Sequence, residues 1–143
     1  NVIDNNEQIS TNYLQHTKEI IRFYEKYFGD YQWYSDGYKL IEVPYLGMEH
    51  QSAVTYGNGF SLYNGVRSKS WPMYGVIDPL IIHETGHEWF GNSVTASDPT
   101  HIWIHEGLQV YSEAIYFEDK FNSYDVGVHY LNTIKNITIL LEC

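Results

Sequence analysis

The chain has 143 residues, 43% of them hydrophobic and 18% charged, which suits one folded domain and excludes a disordered or fibrous protein. Eighteen acidic residues against eight basic ones give a formal net charge of −10, which argues against nucleic acid or an anionic membrane as partner. No apolar run approaches the roughly 20 residues of a membrane helix. The single cysteine, Cys143, excludes an internal disulfide. With no initiator Met and no leader pattern, Asn1 reads as a cut inside a longer protein or a processed end. Aromatic residues reach 17%, as expected of either a binding cleft or a core with polar edges.

In chain order, the first element is a helix from Glu7 to Phe28. Tyr13, Thr17, Ile20, Tyr24 and Phe28 recur at steps of three and four, with Leu14 and Ile21 widening the face. Asn5 or Asn6 can cap its start, and Gly29 can supply the left-handed residue beyond its end. Residues 38–45 and 51–56 read as strands, with Pro44 marking an edge or an end of the first. Residues 57–75 are punctuated by Gly57, Gly59, Gly65, Pro72 and Gly75 and read as a loop. A helix is predicted over 78–92, with Asp78 as cap and Pro79 in its first turn. After a turn at Asp98-Pro99, a helix over 101–117 is expected to bury Ile104, Leu108, Tyr111 and Ile115. The last helix, over 124–141, carries the stripe Tyr130, Ile134, Ile137 and Leu141. No linker interrupts the series, so 1–143 reads as a single α+β domain.

The chemistry sits in His83-Glu84-Thr85-Gly86-His87. Residues four apart on a helix are about 40° apart in rotation and about 6 Å in rise, so both imidazoles can reach one ion. Glu84, at the edge of that face, is placed to touch a metal-bound water. The pentapeptide alone also fits a surface helix or a core histidine. Its flanks, Leu80-Ile81-Ile82 and Trp89-Phe90, are apolar, and buried histidines beside a carboxylate are costly unless they share a partner. Catalytic zinc sites keep three protein ligands and one open position. Glu106, separated from His87 by 18 intervening residues, is available as the third.

This pattern, with HEWFGNSVT at 87–95 and WIHEG at 103–107, resembles the zinc signature of the gluzincins, and within them the M1 family of zinc aminopeptidases. The second string is similar to the family's tryptophan-anchored turn before the third ligand, with His105 where Asn is usual. The resemblance spans roughly 38–116 and implies a fragment of a thermolysin-like catalytic domain: a small mixed sheet with an edge strand, followed by the zinc-binding helices. It implies one Zn2+ per chain on His83, His87 and Glu106, with Glu84 as general base. The activity implied is removal of N-terminal residues from peptides by a zinc-activated water. Leu46-Gly47-Met48-Glu49-His50 is similar to the family's Gly-Ala-Met-Glu-Asn, though only Met48 and Glu49 match outright. The resemblance therefore gives Glu49 the substrate's free α-ammonium, and the backbone around Gly47 and Met48 the peptide. Glu113, seven residues after Glu106, resembles a residue supporting a ligand histidine, and reads equally as a solvated charge. The family's oxyanion-stabilising Tyr lies further downstream than this chain extends. Tyr111, Tyr116, Tyr124 and Tyr130 fall too early for it and read as packing residues. The family's N-terminal β domain is expected elsewhere in the full-length protein. Two other readings fit the same residues: an M1-like zinc-binding module without activity, and an endopeptidase of the same metal chemistry.

Overall fold

The computed structural model describes residues 7–57 and 77–141, with side chains over 13–57 and 77–135. Asn5, Asn6, the loop beyond Gly57, and the side chains of Ile137 and Leu141 lie outside them.

Helix α1 runs from Glu7 to Phe28. Tyr13, Thr17, Ile20 and Tyr24 are buried as the spacing predicts, and Phe23 joins them. Leu14 does not, being 47% exposed, because the face turned to the core is narrower than expected. Gly29 follows at φ +95°, in the left-handed region open to glycine. Strands β1 (Lys39–Glu42) and β3 (Ala53–Tyr56) are shorter than predicted and pair in parallel, Leu40 opposite Val54. A further strand, β2 (Gly47–Met48), pairs antiparallel with β3 and completes a mixed sheet of order β1-β3-β2. Two residues are too few to leave an alternation in the sequence, so β2 had no signal of its own.

Helix α2 is Pro79–Gly86, ending short of the predicted 92. Asp78 caps it, accepting from the Leu80 N–H, and Tyr56 at the end of β3 donates to the same carboxylate. That shared aspartate ties the sheet to the helix. His87 keeps helical backbone angles, with its N–H on the His83 carbonyl. Beyond it the chain widens. Asn92, Ser93 and Val94 donate five residues back, and Gly91 stands at φ +139°.

The predicted helix over 101–117 divides in two. A 3-10 turn covers Pro99–Ile104, capped by Asp98, and helix α3 runs from Glu106 to Phe121. The expected apolar face is not the buried one. Gln109, Ser112, Glu113, Tyr116 and Phe117 are buried, while Tyr111 is 57% exposed. α3 packs against α2 through a polar seam, so hydrophobic spacing pointed to the wrong side. Trp103 is 58% exposed and does not fasten its turn within the described residues. Helix α4 spans Tyr124–Leu141, with Tyr130 fully buried and Ile134 packed against the core. Tyr124 is exposed, so it is not the packing residue expected.

The architecture is mixed: helices around a small sheet, with one core of Ile20, Phe23, Tyr24, Val54, Ile81, Ile82, Trp89 and Phe117 between them. Much of the aromatic content lies here. Tyr24 stacks on Trp89 at 5.0 Å, and Phe23 meets Tyr116 edge-on at 5.1 Å. Buried hydroxyls find partners, Tyr24 with Ser112 and Tyr38 with Thr85, both at 2.8 Å. No helix among the described residues is long and apolar enough to cross a membrane.

Candidate metal centre

The two histidines of α2 point the same way, as a spacing of four requires. Their Nε2 atoms lie 3.1 Å apart. The start of α3 brings Glu106 to them, one oxygen 3.4 Å from His83 Nε2 and the other 3.8 Å from His87 Nε2. One ligand atom from each of the three lies within 4.8 Å of the others.

The other ring nitrogens are both held. His83 Nδ1 lies 2.6 Å from Glu113 Oε1, and His87 Nδ1 lies 2.8 Å from the Phe90 carbonyl. An ionised carboxylate and a carbonyl can only accept, so both Nδ1 atoms carry the hydrogen. In neutral imidazoles this leaves two Nε2 lone pairs facing each other at 3.1 Å. Such a contact is repulsive unless a cation lies between them. Two nitrogens on one tetrahedral zinc stand about 3.3 Å apart at ordinary bond lengths. The donor set therefore fits a zinc ion: two imidazoles with fixed tautomers, one carboxylate and a supporting carboxylate behind.

The charges agree. Burial works against a proton on His83, but Glu113, with the bonds to Glu106 and Glu113, outweighs it and lifts the pKa to about 10. In the metal-free site a proton on His83 thus takes the cation's place. His87 is pushed down, first by burial and then by the charge on His83. Glu106 is held below its usual range by its bond to His83.

Glu84 is buried beside this group and packs over β2, where a Cβ added to Gly47 would come within 2.6 Å of Glu84 Oε1. Burial raises its pKa to about 7, and the neighbouring Glu49, Glu106 and Glu113 carboxylates add to the rise. Glu49 comes from the segment after β2. Its carboxylate, that of Glu84 and a ring nitrogen of His87 lie mutually within 4.8 Å. This second group shares His87 with the first, and with Nδ1 committed to Phe90 only Nε2 is left for either, so the two are alternatives and not two separate ion sites. Met48 is exposed on the outer strand β2.

The structure brings His83, Glu84, His87, Glu106 and Glu49 together, with Gly47 beneath Glu84. It also settles the contact of Glu113, which is fully buried against His83. Tyr130 is more than a packing residue, since its hydroxyl donates to Glu113 Oε2. The Phe90 carbonyl carried no signal in the sequence, because any residue supplies one. Gly86 did carry one, since glycine inside a helix costs about 1 kcal/mol against alanine. A Cβ there would stand 2.1 Å from the Tyr24 hydroxyl and 2.3 Å from the Gln109 amide. Gln109 fills that space, donating to the Tyr24 hydroxyl at 2.8 Å and the Ile82 carbonyl at 3.1 Å.

Residues 12–140 match the model of the peptidase family M1 domain. The chain belongs to peptidase family M1, a family of metalloproteases within the hydrolases. It is 34% identical to human endoplasmic reticulum aminopeptidase 2 over 127 residues, covering 80% of this chain and 13% of that protein. It is 37% identical to bovine (Bos taurus) aminopeptidase N over 97 residues, covering 66% of this chain and 10% of that protein. It is 29% identical to aminopeptidase M1 of Arabidopsis thaliana over 85 residues, covering 59% of this chain and 10% of that protein. The chain thus spans only about an eighth or less of these relatives. No solved structure matches it.

Proposed function

We propose that residues 1–143 are the zinc-binding core of a thermolysin-like catalytic domain, and that the protein is a zinc metalloaminopeptidase. The observation that supports this reading is the convergence of His83, His87 and Glu106, one ligand atom from each within 4.8 Å of the others, with both Nδ1 atoms already bonded elsewhere. His83, His87 and Glu106 would hold one Zn2+. When bound, the ion supplies a Lewis acid for the peptide carbonyl and acidifies a water.

The remaining work falls to the chain. Glu84 accepts a proton from the attacking water and passes it to the leaving amine. A carboxyl lifted to about 7 by burial is well matched to both halves of that task. Glu49 receives the substrate's α-ammonium. Two carboxylates, Glu49 and Glu84, facing each other within 4.8 Å form a site that a cation relieves, and a free N-terminus is such a cation. With the N-terminus held there, the first peptide bond lies over the metal ligands and exopeptidase behaviour follows. The exposed edge of Gly47 and Met48 offers backbone groups to the peptide. The substrate is a peptide with a free N-terminus, and the remaining domains of the full-length protein complete the cleft.

The test is Glu84→Gln in the full-length protein, with zinc measured by elemental analysis and turnover on an aminoacyl anilide. Zinc is expected to stay at one per chain and kcat to fall by about 10² or more. Normal turnover would remove the base assignment. Zinc without turnover in the unmodified protein would favour a binding module, and hydrolysis of N-blocked peptides an endopeptidase.

A further inference from the structure

The segment that carries Glu49 is fastened to the turn after α2 by two side chains that the proposed chemistry does not use. Glu88, the residue after His87, is 1% exposed, and its Oε1 accepts from the Ser52 N–H at 2.6 Å. Asn92 Nδ2 donates to the Glu49 carbonyl at 2.9 Å. The two bonds bracket the four residues from Glu49 to Ser52. At the end of the bracket the Ala53 N–H, just beyond it, closes on the His50 carbonyl at 2.9 Å, and Ser52 stands at φ +58°. A serine enters that region reluctantly, so the turn needs outside support to keep its shape. A buried carboxylate is also costly unless it satisfies a group that would otherwise be orphaned, and the Ser52 N–H is such a group.

Both clamps come from the wide turn that begins at His87, where Asn92 and Ser93 donate back to the carbonyls of His87 and Glu88. Glu49 is therefore located relative to a metal ligand and not only relative to its own strand. The distance from metal to ammonium site decides whether a bound N-terminus can reach Glu49 while its first peptide bond lies over the metal ligands, so a displaced Glu49 holds the free amine less tightly. We propose that Glu88 and Asn92 are positioning residues that place the Glu49 carboxylate, and so set the preference for substrates with a free N-terminal ammonium. The proposal rests on the reading of Glu49 given above.

The test compares the zinc-loaded full-length protein with its Glu49→Gln, Asn92→Asp, Glu88→Ala and Glu88→Gln variants. The substrates are alanyl anilide and its N-acetylated counterpart. Asn92→Asp is nearly isosteric and replaces the donor by an acceptor facing the Glu49 carbonyl. Glu49→Gln, Asn92→Asp and Glu88→Ala should each raise KM for the free amine about tenfold or more, with kcat within about threefold and zinc retained. Glu88→Gln, whose amide oxygen can still accept from Ser52, should stay near the parent. If Glu49→Gln raises KM while Asn92→Asp and Glu88→Ala do not, or if these lower only kcat, the positioning role is wrong and the reading of Glu49 stands. If Glu49→Gln leaves KM and the preference over the acetylated substrate unchanged, the reading of Glu49 fails and the positioning role with it. Should Glu88→Ala not fold, Asn92→Asp decides alone.

Discussion

A carboxylate has no hydrogen to give, and that restriction makes Glu113 the residue that orients His83. Bound at 2.6 Å to Nδ1, it turns Nε2 toward Glu106 and His87. Glu113→Ala is expected to leave the buried ring free to rotate and to weaken zinc binding by about 10–100-fold, measured by competition with a chromophoric chelator. Glu88 makes a separate prediction. Burial lifts its pKa from the ordinary 4.5 to about 7, so the folded state holds the proton more tightly than the unfolded state. Its stabilising contribution is complete below about pH 4.5, declines as the pH rises and is gone above about pH 7. Glu88→Gln, which cannot ionise, should raise Tm at pH 8, with the gain shrinking toward pH 4.5. A gain that did not change with pH would contradict this.

Between elements, the decisive contact is α2 on α3. Gly86 and Gln109 fit as a pair: the glycine leaves the space and the amide fills it, bonding the Ile82 carbonyl of α2. Ser112 completes the network by donating to the Gln109 carbonyl at 2.7 Å. Glu106 and Glu113 lie on the same helix as Gln109, so this contact also sets how those two carboxylates meet the histidines. Gly86→Ala alone should destabilise by about 1–3 kcal/mol through overpacking. Adding Gln109→Ala should recover part of that loss, because it removes the atoms in the way. Denaturant unfolding of the two single variants and the double variant measures the coupling, and simple additivity would mean the residues do not share the space.

For the whole molecule, charge balance is the governing constraint. The chain carries −10, and four carboxylates, Glu49, Glu84, Glu106 and Glu113, surround two imidazoles. With no metal the centre recruits a proton, since His83 stays protonated up to about pH 10. Zinc bound at the proposed site would displace that proton. Binding at pH 7 should therefore release about one proton per ion, read by calorimetry in buffers of different ionisation enthalpy. Uptake independent of buffer would mean that His83 is neutral in the free site.

The sequence by itself determined the proposed ligand set. His83, Glu84 and His87 share a helix, and helical periodicity is a local property that their spacing already contains. The gap to Glu106, the caps at Gly29 and Asp78 and the break at Asp98-Pro99 were legible for the same reason: each depends on neighbours along the chain. Only the tertiary structure decided what stands behind the ligands. That Phe90 offers its carbonyl to His87, that α3 buries Gln109 and Glu113 in place of Leu108 and Tyr111, and that α2 gives way to a wide turn all depend on residues far apart in the chain. Hydrophobic spacing marks which face avoids water, but it cannot register a seam held together by hydrogen bonds, and the seam between α2 and α3 is of that kind.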